Sequence, residues 1–301
     1  MLLIYSTYNS PRLQYIADVL LYNLSGIPVS FTTRPYEFIE HDGPKINYSS
    51  GTLAQDEVKI IPASLLFETG ITAQNTYCKE RGGYKILFPA DNGDLPFDIF
   101  AASFYLLSRY EEYLPHRLDE YGRFAHTEST AYKEGFLQQP LINYWLVDFQ
   151  KLLQSKFTSL VFATKKFRFI PTYDIDIAFS YLHKGIARNS GGLVRSLLKG
   201  ELADMKERIA VLTKKKDDPF DVYEWLYALH LKYNLQPYYF FLVAAKPGNY
   251  DKNVDPRHAE MRELIRYHAV GYNVGVHPSW QSGDDNKLLE DEIQTLEDII
   301  G

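Results

Sequence analysis

The stretch Phe167-Arg168-Phe169-Ile170-Pro171-Thr172-Tyr173-Asp174-Ile175-Asp176 is an apolar, β-prone run that ends in two carboxylates one residue apart. In an extended chain successive side chains alternate between faces. Thr172, Asp174 and Asp176 therefore share one face, with the two acids roughly 7 Å apart along the strand. In α/β folds the chemistry collects at the C-terminal ends of strands. Two acids at such an end have no packing role, so they call for a cation or a substrate.

The residues that follow keep alternating helix with strand. Asp218-Pro219 is read as the start of a helix that runs to Tyr233 and stops at Asn234. Tyr238 to Val243 is a nearly continuous apolar strand, as in a sheet buried on both faces. Asp255-Pro256 is read as opening a helix that ends at Gly271, Asn273 to His277 as a third strand, and Lys287 to Ile299 as a last helix. Strands separated by helices pair in parallel, in a barrel or a doubly wound sheet. Parallel pairing brings His277 to the same rim as Asp174 and Asp176. Carboxylate and imidazole donors together suit zinc, manganese, cobalt or ferrous iron. The plainer alternative leaves Asp176 as a cap for the next helix and His277 as a packed histidine.

Upstream, residues 2–6 read as a strand and Pro11 to Leu24 carry helical spacing at Leu13, Ile16, Leu20 and Leu24, with Ser10 as cap. Pro28 to Thr32 complete a β-α-β opening without a glycine-rich phosphate loop. Lys45 to Tyr48, Lys59 to Ile61 and Tyr84 to Phe88 read as strands. A helix is expected from Asp94-Leu95-Pro96 through Tyr113, and another from Leu141 to Gln154. The boundary between an N-terminal α/β domain and the second domain is expected near residue 160.

Composition narrows the function classes. The 301 residues are 46% hydrophobic and 23% charged, the balance of a folded chain with room for two domains. The net charge of −6 argues against nucleic acid as the partner. Cys78 is the sole cysteine, which excludes an intramolecular disulfide and a cysteine-based zinc site and favours a reducing, cytoplasmic setting. The N-terminus turns polar after Tyr5 and does not resemble a signal peptide. No apolar run reaches the roughly 18 residues a membrane span needs.

Pro171-Thr172-Tyr173-Asp174-Ile175-Asp176 resembles the first motif of the polysaccharide deacetylases, carbohydrate esterase family four with its NodB-homology domain. Gly275-Val276-His277-Pro278-Ser279-Trp280 resembles the second motif, which begins with a metal-binding histidine. The segment from Phe97 to Tyr113, with Gly122-Arg123-Phe124 and Asp217-Asp218-Pro219-Phe220-Asp221, is similar to a bacterial branch that carries an added N-terminal domain. The resemblance implies a (β/α) deacetylase-type barrel over residues 161–301 after the N-terminal α/β domain of residues 1–160. It implies a hydrolase that removes acetyl groups from an N-acetylated glycan with a divalent metal, zinc being the expected ion. Asp174 would be the catalytic base, and Asp176 and His277 the metal ligands.

Around them, Tyr173, Asp251 and Trp280 are candidate substrate contacts, and Ser279 and Thr172 candidate supports for the ligands. Trp280 could equally wedge its loop, and Asp251 could be a turn residue.

The chain departs from the family pattern at three points. Ile175 separates the aspartates, Gln281 stands where a second histidine is expected, and the later motifs are missing. A third ligand would then come from His183, His258 or His268. Three strands over 135 residues predict a truncated product that is inactive alone or completes its sheet as a homo-oligomer. Two other classes stay open: a metal-dependent glycosyltransferase built on Asp174-x-Asp176, and a non-catalytic glycan-binding module. Lys184, Arg188, Arg195 and Lys199 form a basic run read either as a solvated helix face or as a contact for a charged glycan.

Overall fold

The computed structural model describes residues 1–164, 166–245, 248 and 251–301. The chain divides into two compact units, residues 1–165 and 166–301, so the boundary falls a few residues beyond the expected 160.

The first unit is built on a four-stranded parallel sheet. Its strands are β1 (Leu2–Ser6), β2 (Val29–Thr32), β3 (Lys45–Tyr48) and β4 (Val58–Ile60), in the order β2-β1-β3-β4. Helix α1 (Pro11–Ala17) follows β1, with Ser10 Oγ accepting from Leu13 N. It continues as a wider helical turn over Asp18–Asn23, which accounts for the long periodic run in the sequence. A short α2 (Pro35–Ile39) and an antiparallel hairpin, β5 (Lys79–Arg81) with β6 (Tyr84–Ile86), complete the periphery. Neither α2 nor β5 was evident from periodicity.

Helix α3 (Ile99–Leu107) lies in the centre of this unit, and Ile99 through Tyr105 are all buried. Its cap is Asp98, not the expected Asp94: Asp98 Oδ1 accepts from the N–H groups of Phe100 and Ala101. Asp94 instead accepts from Lys59 N on β4 and from Lys156 Nζ. The helix also stops before Tyr113, because Arg109 turns to φ 52°, a left-handed conformation that ends an α-helix. After a short α4 (Thr130–Lys133), helix α5 (Leu141–Lys156) packs Leu141, Trp145, Leu146, Phe149 and Leu153 into the same core.

The second unit carries a three-stranded parallel sheet, β7 (Thr172–Ile175), β8 (Tyr238–Leu242) and β9 (Asn273–His277), in that order. Its helices are α6 (Gly185–Leu198), α7 (Leu202–Leu212), α8 (Tyr223–Tyr233), α9 (Ala259–Gly271) and α10 (Asn286–Ile300). Asn234 stops α8 in the left-handed region, as its sequence position predicts. One face of the sheet buries Tyr239 and Phe241 with Tyr173, Ile175, Val274 and Val276 against helix residues such as Met261, Ile265, Leu296 and Ile299. The other face carries Thr172, Asp174 and Tyr238, all exposed, and Phe240. The Phe240 ring lies against Gly275, where a Cβ would come within 2.9 Å of it. The α/β class and the parallel pairing are therefore present. Among the described residues the sheet is open and three-stranded rather than a closed barrel. No helix among them is long and apolar enough to cross a membrane.

Candidate functional site

The period-two reading holds through the strand: Thr172 and Asp174 are exposed on the open face, while Tyr173 and Ile175 turn to the helix-covered face, and Asp176 is exposed in the bend just past the strand end. The register sets Asp174 level with Phe240 on β8 and Gly275 on β9, and His277 level with Leu242. His277 thus ends β9 two rows beyond Asp174. Its Nε2 stands 3.2 Å from Asp176 Oδ1. The Nδ1 atom lies 3.0 Å from the carbonyl oxygen of Pro278. A carbonyl can only accept, so Nδ1 carries a hydrogen. In a neutral ring that leaves Nε2 as a lone pair aimed at a carboxylate oxygen. Two acceptors at that distance require something positive between or on them: a proton on Nε2, or a cation shared by both.

Tyr173 does not join this group. Its ring stacks on Tyr239 at 4.9 Å, and its hydroxyl lies 2.9 Å from His230 Nε2. The reason is the alternation itself, which sends residue 173 to the opposite side from 172 and 174. His230 was not singled out in the sequence. It is buried between Tyr173 and Tyr272, and burial holds its pKa below the ordinary value.

The remaining candidates sit around the rim as supports. Asp251 is buried, and its Oδ2 accepts from Trp280 N at 3.1 Å, fastening the loop after β8 to the turn after β9. The Trp280 side chain is about half exposed. Ser279 is buried in the same turn: its N–H donates to Glu292 Oε2, and its Oγ accepts from Ser282 N. Its hydroxyl holds the turn and does not reach His277. Thr172 lies on the acid-bearing face.

None of the three spare histidines completes a ligand set. His268 is buried against Tyr239 with Nδ1 on the Leu264 carbonyl. His183 and His258 flank Glu260, at 3.5 Å and 2.9 Å. Among the described residues no cluster of three or more acidic, histidine or cysteine side chains is placed to hold a metal. The convergent set is therefore a pair, Asp176 and His277, with Asp174 on the same face.

Two residues fix the shape of this rim, Asn253, to which the sequence assigned no role, and Asp218, which it read as the start of a helix. Asn253 Nδ2 donates to the carbonyls of Ile175 and Leu242, at 3.1 and 3.0 Å, and its Oδ1 accepts from Ala178 N. It ties the last residues of β7 and β8 together just where Asp176 leaves the sheet. Asp218 accepts from the N–H groups of Ser180, Tyr181 and Leu182, so the loop after Asp176 hangs from one carboxylate. The same Oδ1 takes Phe220 N, a local turn that delays α8 to Tyr223.

Residues 2–158 match the family of unknown function DUF7033. The chain belongs to that family. The match covers the first unit and ends before Thr172, so the rim with Asp174, Asp176 and His277 lies outside it. No curated protein and no solved structure shows significant similarity to the chain.

Proposed function

We propose that the second unit is a divalent-metal hydrolase site that removes acetyl groups from an N-acetylated glycan. The observation that carries this reading is the approach of His277 Nε2 to Asp176 Oδ1 at 3.2 Å on the face that also bears Asp174. Two donors sharing a tetrahedral ion at bond lengths of about 2.0–2.2 Å stand roughly 3.3–3.5 Å apart, so the pair has a fitting bite. Zinc is the ion of choice for an imidazole and carboxylate pair, and the rest of its shell falls to solvent or substrate. The likeness of the two rim segments to the deacetylase motifs supplies the reaction class.

Such an ion, when bound, polarises an amide carbonyl and acidifies water. The chain's own residues then divide the work. Asp176 and His277 hold the ion, and the Pro278 carbonyl on Nδ1 fixes the tautomer that presents Nε2. Asp174 takes the proton of the attacking water. Phe240 and Tyr238, with parallel rings 6.4 Å apart, give the same face an apolar floor for a sugar ring. Each edge strand, β7 and β9, has one neighbour among the described residues, and edge pairing between copies is the form of homo-oligomer this sheet would support.

The test is a calorimetric zinc titration of the 301-residue chain. Asp176→Asn and His277→Gln are each expected to weaken zinc binding by at least roughly 100-fold, the upper end of what loss of an outer hydrogen-bond partner does. Asp174→Asn is expected to keep zinc and to abolish acetate release from an N-acetylglucosamine oligomer. Zinc affinity equal in the wild type and in an Asp176→Asn/His277→Gln double variant of native circular dichroism sinks the proposal.

A further inference from the structure

Lys184, half-buried, and Arg188, exposed on α6, line a cavity of about 210 Å³ together with His183, His258 and Leu242. Leu242 is level with His277 on the central strand, so the cavity begins where the candidate site ends. Its volume falls below the roughly 300–1,000 Å³ of a site for a drug-sized molecule, which fits a single substituent better than an oligosaccharide.

Lys184 has two guanidinium groups and one carboxylate around it. Burial pushes its pKa down to about 8; Arg188 and Arg208 add to that and Asp218 opposes it. The Asp218 oxygens are already engaged by the N–H groups of Ser180, Tyr181, Leu182 and Phe220. Lys184 Nζ spends one hydrogen on the Ser180 carbonyl and keeps two. Arg188 is oriented by the carbonyls of Asn253 and Lys252 and keeps its charge. Of the two acids that share the lining, Asp255 pairs with Arg257, and Asp251 accepts one hydrogen bond from Trp280 N. A half-buried ammonium beside a guanidinium on one wall of the cavity suits an anion.

We propose that this cavity binds an anionic substituent of the substrate, a phosphate or carboxylate carried by the sugar next to the one being deacetylated. This names a substrate class, an acidic glycan, and rests on the hydrolase reading above. The probes are inorganic phosphate, methyl glucuronide and neutral methyl glucoside, titrated calorimetrically into the full chain.

At least one anion is expected to bind and the glucoside not to. Phosphate alone points to a phosphorylated glycan, and glucuronide points to a uronic acid. Lys184→Gln is expected to weaken the bound anion about tenfold, and Lys184→Arg, which keeps the charge, to retain it. Failure of both anions to bind overturns the proposal, as does equal binding by wild type and Lys184→Gln, or equal loss in Lys184→Gln and Lys184→Arg. A zinc titration of the same samples separates the two ideas. Zinc bound without anions removes this inference alone, and anions bound without zinc remove the hydrolase reading.

Discussion

Asp98→Ala is expected to lower the stability of the first unit by roughly 4 kcal/mol. The residue is fully buried at the head of α3, and four donors converge on its carboxylate. Oδ1 takes the N–H groups of Phe100 and Ala101, at 3.0 Å each. Oδ2 takes the Tyr48 hydroxyl at 2.6 Å from β3, and Ala63 N at 2.7 Å from the segment after β4. Losing a helix cap costs about 1–2 kcal/mol. Leaving the buried Tyr48 hydroxyl and Ala63 N–H without partners costs about 1–3 kcal/mol each. With a urea dependence of about 1–3 kcal/mol per molar, the midpoint should fall by roughly 2 M. Trp145, buried in this core and the sole tryptophan of residues 1–165, reports the transition by fluorescence.

The effect has a pH sign. Burial pushes the Asp98 carboxyl up to about 6, against the pull of the Tyr48 hydroxyl and the three N–H groups. A carboxyl raised in the folded state contributes its full stability below the ordinary value near 3.8 and loses part of it as pH rises through about 6. The penalty for Asp98→Ala should therefore be larger at pH 4 than at pH 7. A midpoint unchanged at both pH values would remove Asp98 as the joint of this unit.

What the sequence made legible was local and periodic. Alternation over Thr172 to Ile175 put Asp174 on the open face, and strand ends in parallel register put His277 beside Asp176. The helix starts were misplaced for one recurrent reason. Asp218 and Asp255 stand at Asp-Pro steps and Asp94 two residues before Pro96, and all three read as helix starts, yet α3, α8 and α9 begin at Ile99, Tyr223 and Ala259. In two of the three the aspartate accepts an N–H two residues on, Phe220 for Asp218 and Arg257 for Asp255. That local turn competes with helix, and proline denies the preceding residue an α conformation. In the third, Asp94 is drawn away by Lys59 N, 35 residues earlier in the chain. The rim itself was legible in its charged residues and illegible in its supports. Asn253 and Asp218 act on backbone groups 78 and 38 residues away, and no spacing rule announces such a partner.

The second large effect is expected at Asp218, because it separates holding the site from being the site. Asp218→Ala leaves the N–H groups of Ser180, Tyr181 and Leu182 without their acceptor in a region where Tyr181 and Asp218 are buried. Removing a buried carboxylate that serves several donors costs on the order of 3–5 kcal/mol. Burial alone would raise the Asp218 carboxyl, but the N–H groups of Leu182, Tyr181, Phe220 and Ser180 outweigh it and hold the pKa below 3.8. A depressed carboxyl contributes stability that is present above that ordinary value and is lost as pH falls through the folded-state value. The difference between wild type and Asp218→Ala should accordingly be full at pH 6 and shrink below about pH 4, opposite in direction to Asp98.

Because the loop from Ile177 to Leu182 leads directly from Asp176, zinc affinity should also fall in Asp218→Ala, by about tenfold, less than for Asp176→Asn. The Asp176 side chain is exposed and makes no contact that the fold depends on, so Asp176→Asn should leave the unfolding midpoint unmoved. Zinc loss and stability loss travelling together in both variants would mean that Asp176 is part of the scaffold and that the pair with His277 is an ordinary ion pair.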